Sequence, residues 1–280
     1  MIVDGKRIAE KLKSELRTNL SNVRKKLVLG VLVVSETPAI RQFVSYKERC
    51  GEDIGVQVDV IKTSKSGLKT EDLLHEIIQT SKHRDGLILQ LPIPSELDLD
   101  SALNLFPLSH DVDVLGNTAF TQYKEGVLPF HPPVVGACSA ILKDANVSIA
   151  GKKVVVVGTG RLVGGPAAVW AERMGAYVTV ANRSTADLGK VTREADVIIS
   201  GTGVPGLITP EMVREGVTII DAGSGELAGT VKGDVDELCA KKAALFTPTP
   251  GGVGPITVAK VFENLLTLYH ARNPQKKIIA

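Results

Sequence analysis

Cysteine is scarce, charge of one sign is missing, and no long apolar run occurs. The three cysteines, Cys50, Cys138 and Cys239, are odd in number and far apart. That excludes a disulfide framework and a cysteine knuckle for metal, and it suits a reduced compartment. His75, His83, His110, His131 and His270 form no recognisable ligand set either, so no metal is expected. Lys and Arg total 33 against 31 Asp and Glu, a formal charge of +2. So even a balance argues against a nucleic-acid partner held by a basic face. No apolar stretch approaches the ~20 residues that span a bilayer. Residues Met1 to Arg7 lack the apolar segment of a secretory signal. The expectation is a cytoplasmic protein without a membrane or nucleic-acid partner. With 44% hydrophobic and 23% charged residues, the composition is that of a folded chain.

The 280 residues allow about two domains at roughly 150 residues each. Ile8, Leu12, Leu16 and Leu20 recur at helical spacing. Leu27 to Val34 is a continuous aliphatic run, as in a strand buried on both faces. A helix is predicted over 39–53, a strand over 56–61, a helix over 71–81 and a strand over 86–91. This alternation builds a parallel sheet flanked by helices, an α/β fold. Periodicity lapses between Pro107 and Pro133, and the domain junction is placed at Phe130-His131-Pro132-Pro133. Strands are then predicted at 153–157, 177–181, 196–200 and 217–221, with a helix over 163–174. The last amphipathic segment, about 255–270, is expected to pack back onto the first domain, with Lys276-Lys277 as a solvated end. The predicted division is therefore 1–130 with 255–280, and 131–254.

Between a predicted strand and a predicted helix lies Gly158-Thr159-Gly160-Arg161-Leu162-Val163-Gly164. Glycines at this spacing permit a tight turn and let backbone N–H groups approach a pyrophosphate at a helix N-terminus. A βα turn without ligand is the other use of such a sequence. At the end of the next strand, a carboxylate would hold the 2′-hydroxyl of NAD. This chain has Arg183 and Ser184 there, which suit a 2′-phosphate and favour NADP over NAD. The loop at Gly201-Thr202-Gly203, after a later strand, is expected to line the same crevice.

Thr247-Pro248-Thr249-Pro250-Gly251-Gly252-Val253-Gly254-Pro255-Ile256-Thr257 closely resembles the signature of the methylenetetrahydrofolate dehydrogenase/cyclohydrolase family. So do Asp85-Gly86-Leu87-Ile88-Leu89-Gln90-Leu91-Pro92-Ile93-Pro94 and Gly233-Asp234-Val235-Asp236. The likeness covers nearly the whole chain. It implies a folate domain completed by the C-terminal helix, a Rossmann domain, a homodimer, and a cleft holding tetrahydrofolate against nicotinamide. It implies oxidation of 5,10-methylenetetrahydrofolate to the methenyl form with hydride passing to NADP, which many members follow by hydrolysis to 10-formyltetrahydrofolate. By resemblance Lys47 is the catalytic lysine, Gln90 the glutamine that positions it, and Asp113 the carboxylate that grips the pterin. Phe43 shares the helix face of Lys47 and would stack on the pterin. Gly251, Gly252 and Pro255 would line the folate–nicotinamide boundary, and Gly158, Thr159, Gly160, Arg161, Val163, Gly164, Arg183, Ser184 and Thr202 the cofactor site.

The chain departs from the family pattern at four places. Phe43 stands where a tyrosine is usual, and His110 and Val114 replace the lysine and glycine that flank the two aspartates. His131-Pro132-Pro133-Val134 replaces Pro-Cys-Thr-Pro, and Arg161 lies about two positions beyond the usual arginine. Loss of the phenolic hydroxyl is expected to harm hydrolysis more than hydride transfer, which depends mainly on positioning. The departures leave two other readings: a non-catalytic nucleotide- or folate-binding paralogue, and a dehydrogenase of a related pterin.

Overall fold

The computed structural model describes residues 1–63, 67–227 and 229–274; Lys276-Lys277 lie outside them. In chain order the elements are α1 (Gly5–Leu20), β1 (Val28–Val33), α2 (Pro38–Ile54), β2 (Gln57–Lys62), α3 (Thr70–Lys82), β3 (Gly86–Gln90), α4 (Leu99–Leu105), α5 (Asn117–Glu125) and α6 (Pro133–Asp144). There follow β4 (Lys153–Val157), α7 (Gly164–Arg173), β5 (Tyr177–Ala181), α8 (Leu188–Arg193), β6 (Val197–Ser200), β7 (Thr218–Asp221), β8 (Gly225–Leu227), β9 (Thr230–Lys232), β10 (Leu245–Phe246) and α9 (Val253–Arg272). The chain divides into two compact units, one of residues 11–133 with the chain from 258 onward, the other of residues 1–10 with 134–257.

The first unit is built on a parallel three-stranded sheet in the order β2-β1-β3. Successive residues of the central strand β1 point to opposite faces, and both faces are covered. Leu29, Val31 and Val33 pack with Ile40, Val44 and Ile54 of α2 and with Val261, Phe262 and Leu265 of α9. Leu32 and Val34 pack on the other side with Leu73 and Ile77 of α3 and Leu103 of α4. Each such side chain contributes roughly 1.5–3 kcal/mol of burial, so this double layer dominates the unit's stability. The C-terminal helix thus completes the first unit's core. Thr37 Oγ1 accepts from Ile40 N–H (3.1 Å) at the start of α2, Pro38 opens its first turn, and Gly55 closes it in the left-handed region at φ 83°.

The second unit carries a parallel five-stranded sheet in the order β10-β7-β6-β4-β5 and a small antiparallel pair, β8-β9. The chain runs outward from β4 to β5, then returns to lay β6 on the other side of β4. The carboxyl ends of β4 and β6 therefore form the topological switch point, the place where a doubly wound sheet opens a crevice. Residues 1–10, expected with the first domain, pack with this unit. Val3 N–H donates to Phe246 O (2.9 Å) and Phe246 N–H to Met1 O (2.9 Å), which extends the sheet beside β10.

The stretch from Pro107 to Pro133, where periodicity lapses, holds α5 and the first residue of α6. Only Ala119 and Tyr123 of α5 are buried, too few to write an apolar stripe into the sequence.

Candidate active site

In the first unit, α2 buries Ile40, Val44, Lys47, Cys50 and Ile54, spaced four, three, three and four apart. Lys47 therefore occupies a core position of the stripe and is only 9% exposed. Its Nζ donates to Gln90 Oε1 at 3.0 Å. Gln90, the last residue of β3, lies in register with Val33 at the end of β1, and its amide Nε2 donates to Leu91 O (3.1 Å). Both ends of the amide are thus used, as a partly buried amide requires. Burial holds the Lys47 pKa below the ordinary lysine range, opposed by the charge of Asp113. Burial likewise raises the Asp113 carboxyl above its ordinary value, opposed by Lys47. The fold thus sets Lys47 and Asp113 in one low-dielectric site, where burial disfavours the charged form of each and the other's charge opposes that shift.

Asp113 sits on a loop held by its neighbour Asp111. The Asp111 carboxylate is fully buried and accepts from Leu115 N–H (2.9 Å) and Gly116 N–H (2.7 Å). Its role is structural: it closes the turn that presents Asp113. Phe43 is half-buried one turn before Lys47. Tyr46 is exposed; its hydroxyl accepts from Gln42 Nε2 (2.8 Å) and the Arg49 guanidinium lies 4.9 Å from its ring centroid. Its hydroxyl therefore takes no part at Lys47.

In the second unit the glycine turn joins β4 to α7. A Cβ on Gly164 would fall 2.1 Å from Gly158 O, and one on Gly158 would fall 2.8 Å from Gly201 O. Gly158 itself adopts φ 107°. Only glycine fits such approaches. Val163 precedes α7 and packs over Gly201, where a Cβ would meet its Cγ1 at 2.2 Å. Thr159 and Gly160 are exposed and Arg161 is half-buried in the same turn. Gly158 N–H donates to Ala181 O (2.8 Å), which sets the turn against the end of β5. Just beyond, Asn182 Oδ1 accepts from Ser184 N–H (2.8 Å), leaving Arg183 and Ser184 exposed at the strand's end. Thr202 follows β6 on the other side of β4. The expected cofactor residues are thus brought to one rim of one sheet. A Cβ-free cradle beside a helix N-terminus, with an arginine at the neighbouring strand end, fits a dinucleotide bearing a 2′-phosphate.

Gly251, Gly252 and Pro255 also belong to the second unit. Gly251 has φ 106° and open space around it, and Gly5 N–H donates to Gly251 O (3.0 Å). Pro255 lies in the first turn of α9.

Residues 3–113 match the family model of the tetrahydrofolate dehydrogenase/cyclohydrolase catalytic domain, and residues 132–273 match the NAD(P)-binding domain of the same enzymes. A bifunctional protein FolD of Desulforamulus reducens is 35% identical over 270 residues, 95% of each chain. This chain belongs to the tetrahydrofolate dehydrogenase/cyclohydrolase family. Among solved structures, the bifunctional FolD enzyme of Campylobacter jejuni aligns with a TM-score of 0.90 at 33% identity, over 97% of this chain and 99% of that one. The methylenetetrahydrofolate dehydrogenase-cyclohydrolase of Trypanosoma brucei, solved with NADP cofactor and inhibitor, aligns with a TM-score of 0.89 at 26% identity, over 98% of each.

Against that family pattern, the substitution of glycine by Val114 lands on a left-handed residue, φ 57°. A β-branched side chain there is strained by about 1–2 kcal/mol. The backbone is held on its far side by the two Asp111 bonds, so the loop keeps its shape despite valine. His110, in place of the usual lysine, has its pKa pushed down to about 4 by burial and then by Arg272, against the opposing charge of Asp85. It is neutral at physiological pH and adds no cation to the loop. His131 is exposed and packs edge-on to Tyr123, with ring centroids 6.0 Å apart.

Sequence reasoning missed Ser200 and Asp234, which meet Asp221 beneath the switch-point loops. The Gly233-Asp234-Val235-Asp236 motif carried no assigned role.

Proposed function

We propose that the protein oxidises 5,10-methylenetetrahydrofolate to 5,10-methenyltetrahydrofolate, with NADP as the hydride acceptor. The observation that carries the reading is the buried Lys47 bonded to Gln90 with Asp113 beside it, in a chain whose second unit bears a glycine cradle at its switch point. NADP, when bound, accepts a hydride at its nicotinamide ring. The protein's own residues bind and orient. Asp113 accepts N–H groups of the pterin through its carboxylate. Phe43 offers a ring face to the flat heterocycle. Lys47, its pKa lowered by burial, exchanges a proton with the folate, and Gln90 holds its Nζ in place. The backbone of Gly158 to Gly164 receives the pyrophosphate, while Arg183 and Ser184 receive the 2′-phosphate. Gly251, Gly252 and Pro255 would line the boundary between folate and nicotinamide. Purified protein given methylenetetrahydrofolate and NADP should form reduced nicotinamide, faster than with NAD. No reduction with either cofactor would overturn the reading.

Phe43 favours a further refinement: strong dehydrogenase activity with weak hydrolysis of the methenyl product. Hydrolysis needs an activated water and proton transfers, and the ring beside Lys47 carries no hydroxyl to take part. Phe43→Tyr should raise methenyltetrahydrofolate hydrolysis about tenfold or more, within the range one general acid–base group supplies, and leave hydride transfer nearly unchanged. Hydrolysis well above the buffer rate in the unaltered protein would defeat this refinement.

The protein is further proposed to work as a cytoplasmic homodimer. β5 is the outer strand of its sheet, with Tyr177 73% and Val180 42% exposed. An open apolar edge of this kind is normally paired or protected. Light scattering on the purified protein tests the dimer, and Val180→Lys should shift it to monomer. Among the described residues no helix is long and apolar enough to cross a membrane.

A further inference from the structure

We propose that Asp234, braced by Asp221, is a positioning residue for the nucleotide site: it holds the Gly201–Pro205 loop in place and so sets cofactor affinity without touching the cofactor. This inference rests on the NADP reading above and gives the Gly233-Asp234-Val235 motif a physical task.

Asp234 is fully buried, and a single oxygen, Oδ2, accepts both Ser200 Oγ (2.6 Å) and Thr202 N–H (2.6 Å). Charge-assisted bonds of this length are about twice as strong as neutral ones. They clamp the last residue of β6 to the loop that follows. That loop in turn limits the glycine turn, because Gly201 O is the atom a Cβ on Gly158 would strike. Moving Thr202 therefore moves the floor of the cradle.

Asp221, at the end of β7, fixes Asp234 in its turn. Its Oδ1 accepts Gly223 N–H (3.0 Å) and Asp234 N–H (3.2 Å), and its Oδ2 accepts Val235 N–H (3.0 Å). Thr247 Oγ1 accepts Asp221 N–H at 2.7 Å. The two motifs interlock reciprocally. A Cβ on Gly223 would fall 2.1 Å from the Asp234 carboxylate, and one on Gly233 would fall 2.0 Å from Asp221 Oδ2. Each aspartate thus has a neighbouring glycine that makes room for the other aspartate. A scaffold needs no such arrangement, since burying two acids together is costly unless a specific geometry requires it.

The charge on this pair is also adjustable. Burial, with the Asp234 charge adding to it, raises Asp221 to about 7, against the backbone bonds that lower it. Asp234 Oδ1 is buried without a hydrogen-bond donor, so a second charge beside it is unshielded. The remaining charged groups on the turn are engaged elsewhere: Asp236 Oδ1 accepts Leu238 N–H (2.8 Å), and Lys232 pairs with Glu237 (3.0 Å). Ser200, Thr202 and Thr247, which face the pair from β6, its loop and the end of β10, are uncharged. Ionising Asp221 above neutral pH therefore adds repulsion at the clamp and loosens the Thr202 loop.

The test uses the full chain and NADP itself, with calorimetric Kd and steady-state kinetics on Asp234→Asn, Ser200→Ala and Asp221→Asn. Asp234→Asn should raise the Kd and KM for NADP about tenfold, the usual effect of losing a buried charged acceptor. Its KM for the folate and its kcat at saturating NADP should stay near wild type, a split that general destabilisation would not produce. Ser200→Ala removes one of the two Oδ2 bonds and should raise the NADP Kd about threefold; it decides the matter if Asp234→Asn does not fold. Wild-type NADP affinity should weaken between pH 6 and 8.5 by more than that of Asp221→Asn, measured around the inflection of about 7. Ionisation of the cofactor's own phosphate is common to both proteins and cancels in the comparison. NADP affinity unchanged in Asp234→Asn, or in Ser200→Ala where the former does not fold, or parallel pH profiles, would overturn this inference alone. A wild-type protein that binds no NADP would overturn the functional reading and this inference with it.

Discussion

Lys47 and Gln90 offer the sharpest test of the active site, because a single hydrogen bond there carries a charge. The Nζ–Oε1 contact is 3.0 Å and the lysine is buried. A hydrogen bond to a charged group is worth roughly 1.5–3 kcal/mol net. That bond favours the ammonium form and so opposes the lowering that burial imposes on Lys47. Gln90→Leu removes the acceptor and nothing replaces it, so the neutral amine gains and the titration midpoint should fall below that of the unaltered protein. Gln90→Glu works in the opposite direction. A carboxylate at the same distance offers up to about 5 kcal/mol of attraction at an effective dielectric constant near 20. Part of that is lost because a buried glutamate itself resists ionising. The sign is still unambiguous: the midpoint rises above that of the unaltered protein. Nitrogen NMR of protein labelled at lysine Nζ, with the Lys47 signal assigned by its loss in Lys47→Arg, reads this directly and independently of catalysis. Midpoints that move together in the two variants, or not at all, would refute the account of Lys47 as a buried ammonium sustained by Gln90.

Two further outcomes follow from packing. Gly164→Ala places a Cβ 2.1 Å from Gly158 O, backbone against backbone. Overpacking of that kind costs about 1–3 kcal/mol, and the turn should lose NADP affinity by at least tenfold; an unaltered Kd would show that the cradle does not hold the cofactor. Val114→Gly sets two effects against each other. Release from the left-handed region returns about 1–2 kcal/mol, whereas the buried valine side chain contributes roughly 1.5–3 kcal/mol and a new glycine costs about 0.5–1 kcal/mol of backbone entropy. Burial wins, so the variant should unfold at lower urea. A gain in stability would mean that the strain at φ 57° outweighs the packing.

Much of the fold was legible along the chain. β4 carries four consecutive valines after Lys153, β5 reads Tyr177-Val178-Thr179-Val180-Ala181, each lies beside a glycine, and both end where the pattern ends. The stripe of α2 and the glycine turn before α7 could be read in the same way, because periodicity and backbone freedom are local properties. The helices α4, α5 and α6 were not legible. α4 spans seven residues and α5 buries two, so neither carries enough apolar positions to show a period. The packing of the first ten residues was not legible for a similar reason: the backbone bonds that tie Met1 and Val3 to Phe246 leave no trace in side-chain pattern.

The active-site residues divide along the same line. Sequence alone determined where the amphipathic faces, the strand ends and the glycine-dependent turn lie, because each depends on residues within a few positions of one another. Lys47 and Gln90 could be named only through a familiar motif, since 43 positions separate them and their bond exists only because β3 ends beside α2. Tertiary structure alone decided which charges meet: Lys47 with Asp113, and Asp221 with Asp234. It also placed Val114 in a conformation that valine does not choose. Burial and electrostatics depend on what the folded chain brings within a few ångströms, and linear order does not contain that distance.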